Sequence, residues 1–573
     1  MIGILIALIP FVCIGIYIYK EKTKEAIIKG AVLGLIFLVS LVYFNSIKGT
    51  STKAIMQMLF SLAGALISFV YSVKLVLAGK KASTKLSKEE RQEAFEFTAG
   101  KKNLTISNPY RGTLIIGGAG SGKSRTFMYP IIDQCAKKGY TGVLYDFKSP
   151  ELMNLIENCY NYYNSDVKIG KIDFKNPATS QRVNPIAYVE SAIHATNYTQ
   201  ALIFNLLPEY IAKQDFWSRS ILSVFAGAMW YFKKNKPEYA TLPHLFAFFF
   251  TANAKEIVDI LNQDKEVKGY ISSLTEAIEQ GAEKQVAGVL GTLKNAIGIY
   301  NNPDIFWLLS KDEVNLNAND KDNKTMVLVG NNSTLADTYA PLCSMIITVC
   351  SKLMNEPNKE KSVIIIDESP TIYLPNFEQI PATARSNKVA VVVGAQDISQ
   401  MNDKYGKDKT EVLISNLGNQ FYGRTTNQDT AQRVVKMFGQ REDVVTLEGQ
   451  SGSRLGNAVG MLNKRSKSQS IQKRDRIKIQ QMTTLNAGQF AGILAEGKNK
   501  EFLEQIDLVK MPPFEEMTHK VSNISSSSTA MFDQIYKEIN SFLGKSPTVS
   551  EKLDDKYNNI SKGQSKRFTD ADF

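Results

Sequence analysis

Residues 117–124 read Gly117-Gly118-Ala119-Gly120-Ser121-Gly122-Lys123-Ser124, which fits the phosphate-loop pattern Gly-x-x-x-x-Gly-Lys-Ser/Thr. The pattern works only between a buried strand and a helix, and both flanks are present. Thr113–Ile116 is a short β-branched, apolar run, and Met128, Ile131, Ile132 and Cys135 recur afterwards at helical spacing. Glycines let the backbone curl until successive N–H groups face phosphate oxygens, and the following helix adds its positive end. In that geometry Lys123 reaches the β/γ-phosphates and the Ser124 hydroxyl ligates Mg²⁺. The cofactors expected are therefore ATP and Mg²⁺. Pro130 lies inside the following helix and should kink it.

The first eighty residues read as a membrane anchor of three helices. Met1–Tyr19 has no charged side chain, Ile27–Phe44 is interrupted only by Lys29, and Ile55–Gly79 only by Lys74 near its end. No charged segment precedes the first apolar run, as a cleaved signal peptide would require. Lysines 20, 22, 24 and 29 crowd the first loop, and Lys80, Lys81, Lys85, Lys88 and Arg91 follow the third span. The positive-inside rule then leaves everything after residue 79 in the cytoplasm, where nucleoside triphosphates are. The expectation is a multi-pass protein of the cytoplasmic (inner) membrane with its nucleotide site inside.

Beyond a charged connector over 81–100, expected to be helical, strands alternate with helices, as in a parallel sheet. Strands are read at Gly142–Tyr145 leading to Asp146, Val167–Phe174, Thr325–Val329, Val363–Ile366, Val389–Val393, Gln420–Arg424 and Phe490–Leu494. Residues 190–309 carry almost no strand signal, whereas Ala201–Leu207, Ile221–Phe232 and Lys284–Tyr300 have helical apolar spacing. The domains expected are the anchor (1–80), a phosphate-loop NTPase domain in two parts (81–190 and 315–515), an all-α insert (191–314) and a flexible C-terminal tail (516–573) that adds no core. The fold class is α/β.

The strand Val363–Ile366 ends in Asp367-Glu368. An acidic pair at the C-terminal end of a buried strand lies where open α/β sheets bind ligands. Asp367 suits the second Mg²⁺ position, and Glu368 suits orienting and polarising the attacking water. Gln396 stands just past the strand at Val389–Val393, placed to sense the γ-phosphate. Arg385 precedes that strand and could act in a neighbouring subunit's site. Three histidines, His194, His244 and His519, and five dispersed cysteines exclude a zinc cluster or disulfide framework, and give Ser/His/Asp catalysis little to build on. A net charge of +12 suits nucleic acid or an anionic membrane surface without specifying either. The insert's aromatics (Phe204, Phe216, Trp217, Phe225, Trp230, Phe248, Phe249) read as its core, and Lys233, Lys234 and Lys236 as a solvated basic face. The dense basic stretch Lys464–Lys478 follows Gly449–Ser453 and reads as a mobile loop, open to phosphate contact.

This arrangement resembles the type IV secretion coupling proteins, the membrane-anchored ATPases of conjugation (TraG/TraD-type). The resemblance is carried by the spans, the phosphate loop, the helical insert, Val363–Glu368, Ala384-Arg385 and Gly394–Gln400. Ser180–Pro185, Asp215-Phe216-Trp217 and Thr430-Ala431 before Gly439 add to it, and together these cover most of residues 100–500. Two departures stand out. Asp146-Phe147-Lys148-Ser149-Pro150-Glu151 occupies the place of the family's Asp-Pro-Lys-Gly-Glu, and three spans are counted where many members have two. The resemblance implies a RecA-like motor in a homo-hexameric ring, docked on a secretion channel. It would receive a relaxase with single-stranded DNA and drive transfer by ATP hydrolysis. It also implies Arg385 as a finger acting in a neighbouring site and Gln396 as a nucleotide sensor. Two alternatives stand beside it: a receptor for protein effectors that uses ATP as an assembly switch, and an FtsK-type DNA translocase.

Overall fold

The computed structural model describes residues 87–450, 465–496, 500–513 and 524–545. The three membrane spans read from the sequence lie outside these. Among the described residues no helix is long and apolar enough to cross a membrane. The chain divides into two compact units, Met1–Arg91 and Gln92–Phe573. The second unit holds every described strand.

A hairpin comes first, β1 (Phe95–Ala99) against β2 (Lys102–Ile106). Next come β3 (Thr113–Ile116), β4 (Thr141–Asp146), β5 (Lys168–Asp173), β6 (Thr325–Gly330) and β7 (Ser362–Ile366). They are followed by β8 (Val389–Ala395), β9 (Asn419–Tyr422), β10 (Gln440–Gln450), β11 (Arg465–Asp475), β12 (Gln489–Ile493) and β13 (Glu501–Gln505). Nine strands form one sheet in the order β13-β12-β9-β3-β8-β7-β4-β6-β5. Neighbours from β9 through β5 run parallel, while β12 is antiparallel to both β9 and β13.

Every residue of β3, β4, β6, β7 and β8 is buried, which is why these strands read as unbroken apolar runs. Their side chains divide with a period of two. Leu114, Ile116, Val143, Ile364, Ile366, Val391 and Val393 join one core, which continues into the helical region and the Ala336–Met354 helix. Ile115, Leu144, Val363, Ile365 and Val392 join the other, with the helices Tyr129–Lys138 and Glu151–Tyr162. Between β5 and β6 every described element is helical, including Ala192–Leu206, Phe216–Asn235, Leu242–Thr251 and Glu283–Ile297. Side chains cap several of these helices: Ser191 accepts from the His194 N–H, Asp215 from Ser218, and Thr241 from His244.

Four expectations need correction. Within 81–100 only Lys88–Glu93 is helical among the described residues, and Phe95–Ala99 is strand, its alternating Phe95 and Phe97 buried. The basic stretch is not a loop, because β11 pairs with β10 over eleven positions. That register sets Lys473 opposite Glu442, a pairing of opposite charges across the ribbon. The tail does add core: Ile524–Phe542 is a helix with Ile535 and Ile539 buried. Its Phe532 lies 4.8 Å from Phe306 and its Phe542 5.5 Å from Phe232, and Glu538 accepts from His244 Nε2 at 2.8 Å. Finally, Phe216 and Trp217 are 39% and 40% exposed, so they are not core like Phe225, Phe248 and Phe249. Of the three lysines, Lys234 pairs with Asp264 at 2.9 Å and Lys233 donates to the Ala187 carbonyl.

Candidate nucleotide site at the strand tips

The loop Gly117–Ser124 leaves the C-terminal end of β3, between the tips of β8 and β9. Both neighbours anchor it: the Gly117 N–H donates to the Ala395 carbonyl and the Gly118 N–H to the Arg424 carbonyl. Gly120 and Gly122 have φ of +73° and +92°. A Cβ on Gly122 would also stand 2.8 Å from the Gly488 nitrogen, so only glycine fits there. The backbone N–H groups of Ala119, Gly120 and Gly122 make no hydrogen bond among the described residues. They form the concave donor set that a phosphate requires. Beyond the loop, Ser124–Met128 is a π-helical turn leading into Tyr129–Lys138, with Pro130 in the first turn of that α-helix. The helical backbone runs unbroken from Lys123 through Lys138, so Pro130 lies inside one helix, and the irregularity beside it takes the form of a π-turn.

Across the tip of β8 stands the acidic pair after β7. Lys123 Nζ lies 2.9 Å from Glu368 Oε2 and 3.1 Å from the Asp367 carbonyl oxygen. The other Glu368 oxygen accepts from the Gln396 N–H at 3.0 Å. Both carboxylates are buried, and Asp367 Oδ1 has no hydrogen-bond partner among the described residues. Burial, opposed by the Lys123 charge and reinforced by Glu368, holds the Asp367 carboxyl above its ordinary range. A buried oxygen left unpaired in this way suits a cation ligand. The cleft measures about 280 Å³ and is lined by the loop together with Arg125, Lys148, Glu151, Asp367, Glu368 and Gln396. Donors, cations and the free Asp367 oxygen fit ATP with Mg²⁺.

Structure thus brings together the loop, Lys123, Asp367, Glu368 and Gln396. Arg385 is elsewhere. It is exposed just before the N-terminal end of β8, and its side chain makes no hydrogen bond or ion pair among the described residues. Spacing could not have revealed two further neighbours. Arg424, after β9, reaches the Ala119 carbonyl with Nη2 at 3.3 Å, and Lys148, after β4, lines the cleft. Asp146 is not in the cleft. It accepts from the N–H groups of Lys148, Leu152 and Met153, and so fixes the start of the Glu151–Tyr162 helix. Burial, with Asp367 adding to it against those backbone donors, pushes its pKa up to about 7.

A strand-loop-helix cradle facing an acidic pair across one intervening strand defines a phosphate-loop NTPase of RecA-like fold. Residues 71–526 match the family described as type IV secretory system conjugative DNA transfer, and the chain belongs to that family. Among solved structures, the unbound bacterial conjugative coupling protein TrwBdeltaN70 is similar at 12% identity, with a TM-score of 0.56 over 75% of this chain and 94% of that one. TrwB in complex with ADP and Mg²⁺ is 13% identical (TM-score 0.54, 74% and 94% covered). TrwB with the non-hydrolysable ATP analogue ADPNP is 12% identical (TM-score 0.55, 75% and 94% covered). At these identities the likeness establishes the fold. A search of curated proteins gave no match.

Proposed function

We propose that this chain is the membrane-anchored ATPase that couples a relaxase–DNA substrate to a type IV secretion channel. Hydrolysis of ATP would drive single-stranded DNA through that channel during conjugation. The observation that carries the reading is the Lys123–Glu368–Gln396 linkage beside the unpartnered Asp367 oxygen, in a chain of the conjugative DNA-transfer family.

In this reading the loop N–H groups and Lys123 hold the β/γ-phosphates, while Ser124 and Asp367 hold Mg²⁺. When bound, Mg²⁺ would supply positive charge against the phosphates. Lys123 now serves Glu368, and an incoming phosphate competes for the same ammonium. Binding would then release one Glu368 oxygen to accept a proton from water. The Gln396 N–H would keep the other oxygen in place, and its side chain, which lines the cleft, would sense the γ-phosphate. Arg385 would act in the neighbouring subunit of a homo-hexamer, since it lies away from its own chain's cleft. The division into an anchor (1–80), two parts of one motor domain (81–190 and 315–515) and an all-α insert (191–314) belongs to the same proposal. So does placement in the cytoplasmic membrane with the motor inside. Family and insert together favour this reading over an FtsK-type translocase or an effector receptor.

The test is ATP turnover by the full chain in detergent, with and without single-stranded DNA. Wild type should hydrolyse ATP only with Mg²⁺ and faster with DNA. Lys123→Ala should show no turnover above background and no transfer in mating assays. Intact transfer by Lys123→Ala would sink the proposal.

A further inference from the structure

A second cavity, of about 260 Å³, lies between the last turns of the Ala336–Met354 helix and the segment Leu374–Thr383. Thr348, Ser351 and Lys352 line it from the helix, and Asn376, Gln379 and Thr383 from the facing segment. Thr348 and Ser351 are 6% and 3% exposed, and neither hydroxyl has a hydrogen-bond partner among the described residues. Thr199 and Thr410 are buried helical hydroxyls without a partner among the described residues too, but each stands alone and neither lines this cavity. Other helical hydroxyls satisfy themselves on the carbonyl four residues back, as Thr196, Thr275, Thr292 and Ser415 do. What sets Thr348 and Ser351 apart is that they stand one turn apart on the wall of one cavity, where a partner from outside could reach both.

The lining is one-sided in charge. No carboxylate lines the cavity, and Lys352 has no ion-pair partner among the described residues. Partial burial lowers the pKa of its ammonium, as for a cation without a counter-charge. Asn355 is already committed, its amide donating to Thr383 Oγ1 at 2.9 Å and accepting from Asn387. Leu374, Pro375 and Ile380 provide apolar surface beside the polar groups. The polar groups that face the cavity, one ammonium and two unpaired hydroxyls, match a single small anionic group.

We propose that this cavity binds a phosphate group, with Lys352 as counter-ion and the Thr348 and Ser351 hydroxyls as donors after a rotamer change. The source would be a phosphodiester of the transferred strand or free phosphate; the first rests on the proposed DNA-transfer function. Carbonyls at the C-terminus of the helix oppose an anion, and Lys352 in the last turn must outweigh them. Binding is therefore weak and salt-sensitive. Thr383 lies two residues before Arg385, so an occupant sits beside the element that carries that arginine.

The test uses the full chain in detergent with its phosphate loop filled by a non-hydrolysable ATP analogue. Anisotropy of a labelled oligothymidylate should show weaker binding by Lys352→Ala, and a slope of log affinity against log salt smaller by about 0.7, one phosphate contact on a single strand. Lys352→Arg should keep both. The double variant Thr348→Val/Ser351→Ala should lose the rise in melting temperature that inorganic phosphate gives wild type. Its own melting temperature should hold or rise, because no made hydrogen bond is removed. Phosphate-induced stabilisation lost in Lys352→Ala with oligothymidylate affinity unchanged would identify free phosphate as the ligand. If neither probe distinguishes the variants from wild type, the cavity is not a phosphate site. That outcome would leave ATP turnover, and the coupling function, untouched.

Discussion

The two ends of β8 belong to different chemical worlds. At its C-terminal end the strand tip is wedged between the phosphate loop and the acidic pair. The Ala395 carbonyl accepts from Gly117, and the Gln396 N–H donates to Glu368. A Cβ on Gly394 would stand 2.1 Å from the Asp367 carbonyl oxygen. At its N-terminal end, about 23 Å away for seven residues at ~3.3 Å each, the Arg385 side chain is exposed and unpaired among the described residues. One end is a site braced from every side; the other is a cation with nothing to bind. That contrast is what the proposed function requires: a chain with its own hydrolytic centre and, at the opposite rim, an arginine for a neighbour's site.

Arg385→Ala tests that division most severely. Turnover should fall about 10³-fold or more, as for loss of an arginine finger, with affinity for the non-hydrolysable analogue unchanged. Mixing Arg385→Ala chains with Lys123→Ala chains, each inactive alone, should restore activity, because an intact loop can then face an intact arginine. No recovery on mixing would place Arg385 outside any neighbouring site.

At the braced end, Glu368→Gln should lower turnover by roughly 10²- to 10⁴-fold while nucleotide still binds, as for loss of a general base. Equal losses of binding and turnover would mean that Glu368 mainly holds Lys123. Gly394→Ala should destabilise the chain by about 1–3 kcal/mol or more, since the added methyl meets backbone that cannot move aside. Calorimetric melting checks it, and an unchanged melting temperature would show the tip to be looser than its contacts imply.

The braced end was legible in the sequence and much of the periphery was not, for one physical reason. Parallel strands buried on both faces must be continuously apolar, so β3, β7 and β8 announce themselves, and the acids and glycines at their tips come with them. The β10–β11 ribbon is built by backbone pairing of two polar strands, and its sequence carries no apolar alternation to mark it. The Ile524–Phe542 helix begins in a serine run that hides its apolar stripe, although Phe532, Ile535, Ile539 and Phe542 do recur at helical spacing. Arg424 reaches the loop and Lys148 the cleft from separate strands, and only strand order brings them there.

The same contrast predicts where pH acts. The C-terminal rim crowds Asp146, Asp367 and Glu368 into buried positions, whereas the N-terminal rim offers an exposed arginine. Asp146 has a folded pKa of about 7, against an ordinary value of about 3.9. Between those values the unfolded chain has released its proton and the folded chain still holds it. Asp146 therefore contributes stability that is complete below about pH 3.9 and is lost as pH rises through about 7, on the order of a few kcal/mol. Asparagine cannot ionise. Asp146→Asn keeps an oxygen for the Leu152 and Met153 N–H groups and loses the bond from Lys148, a cost of about 1 kcal/mol that does not vary with pH. Melting of nucleotide-free protein in chelator, from pH 5 to 8, should show wild type losing stability relative to Asp146→Asn as pH rises. Parallel curves would mean that the three backbone donors hold Asp146 ionised throughout, and the rim would then be insensitive to pH at this position.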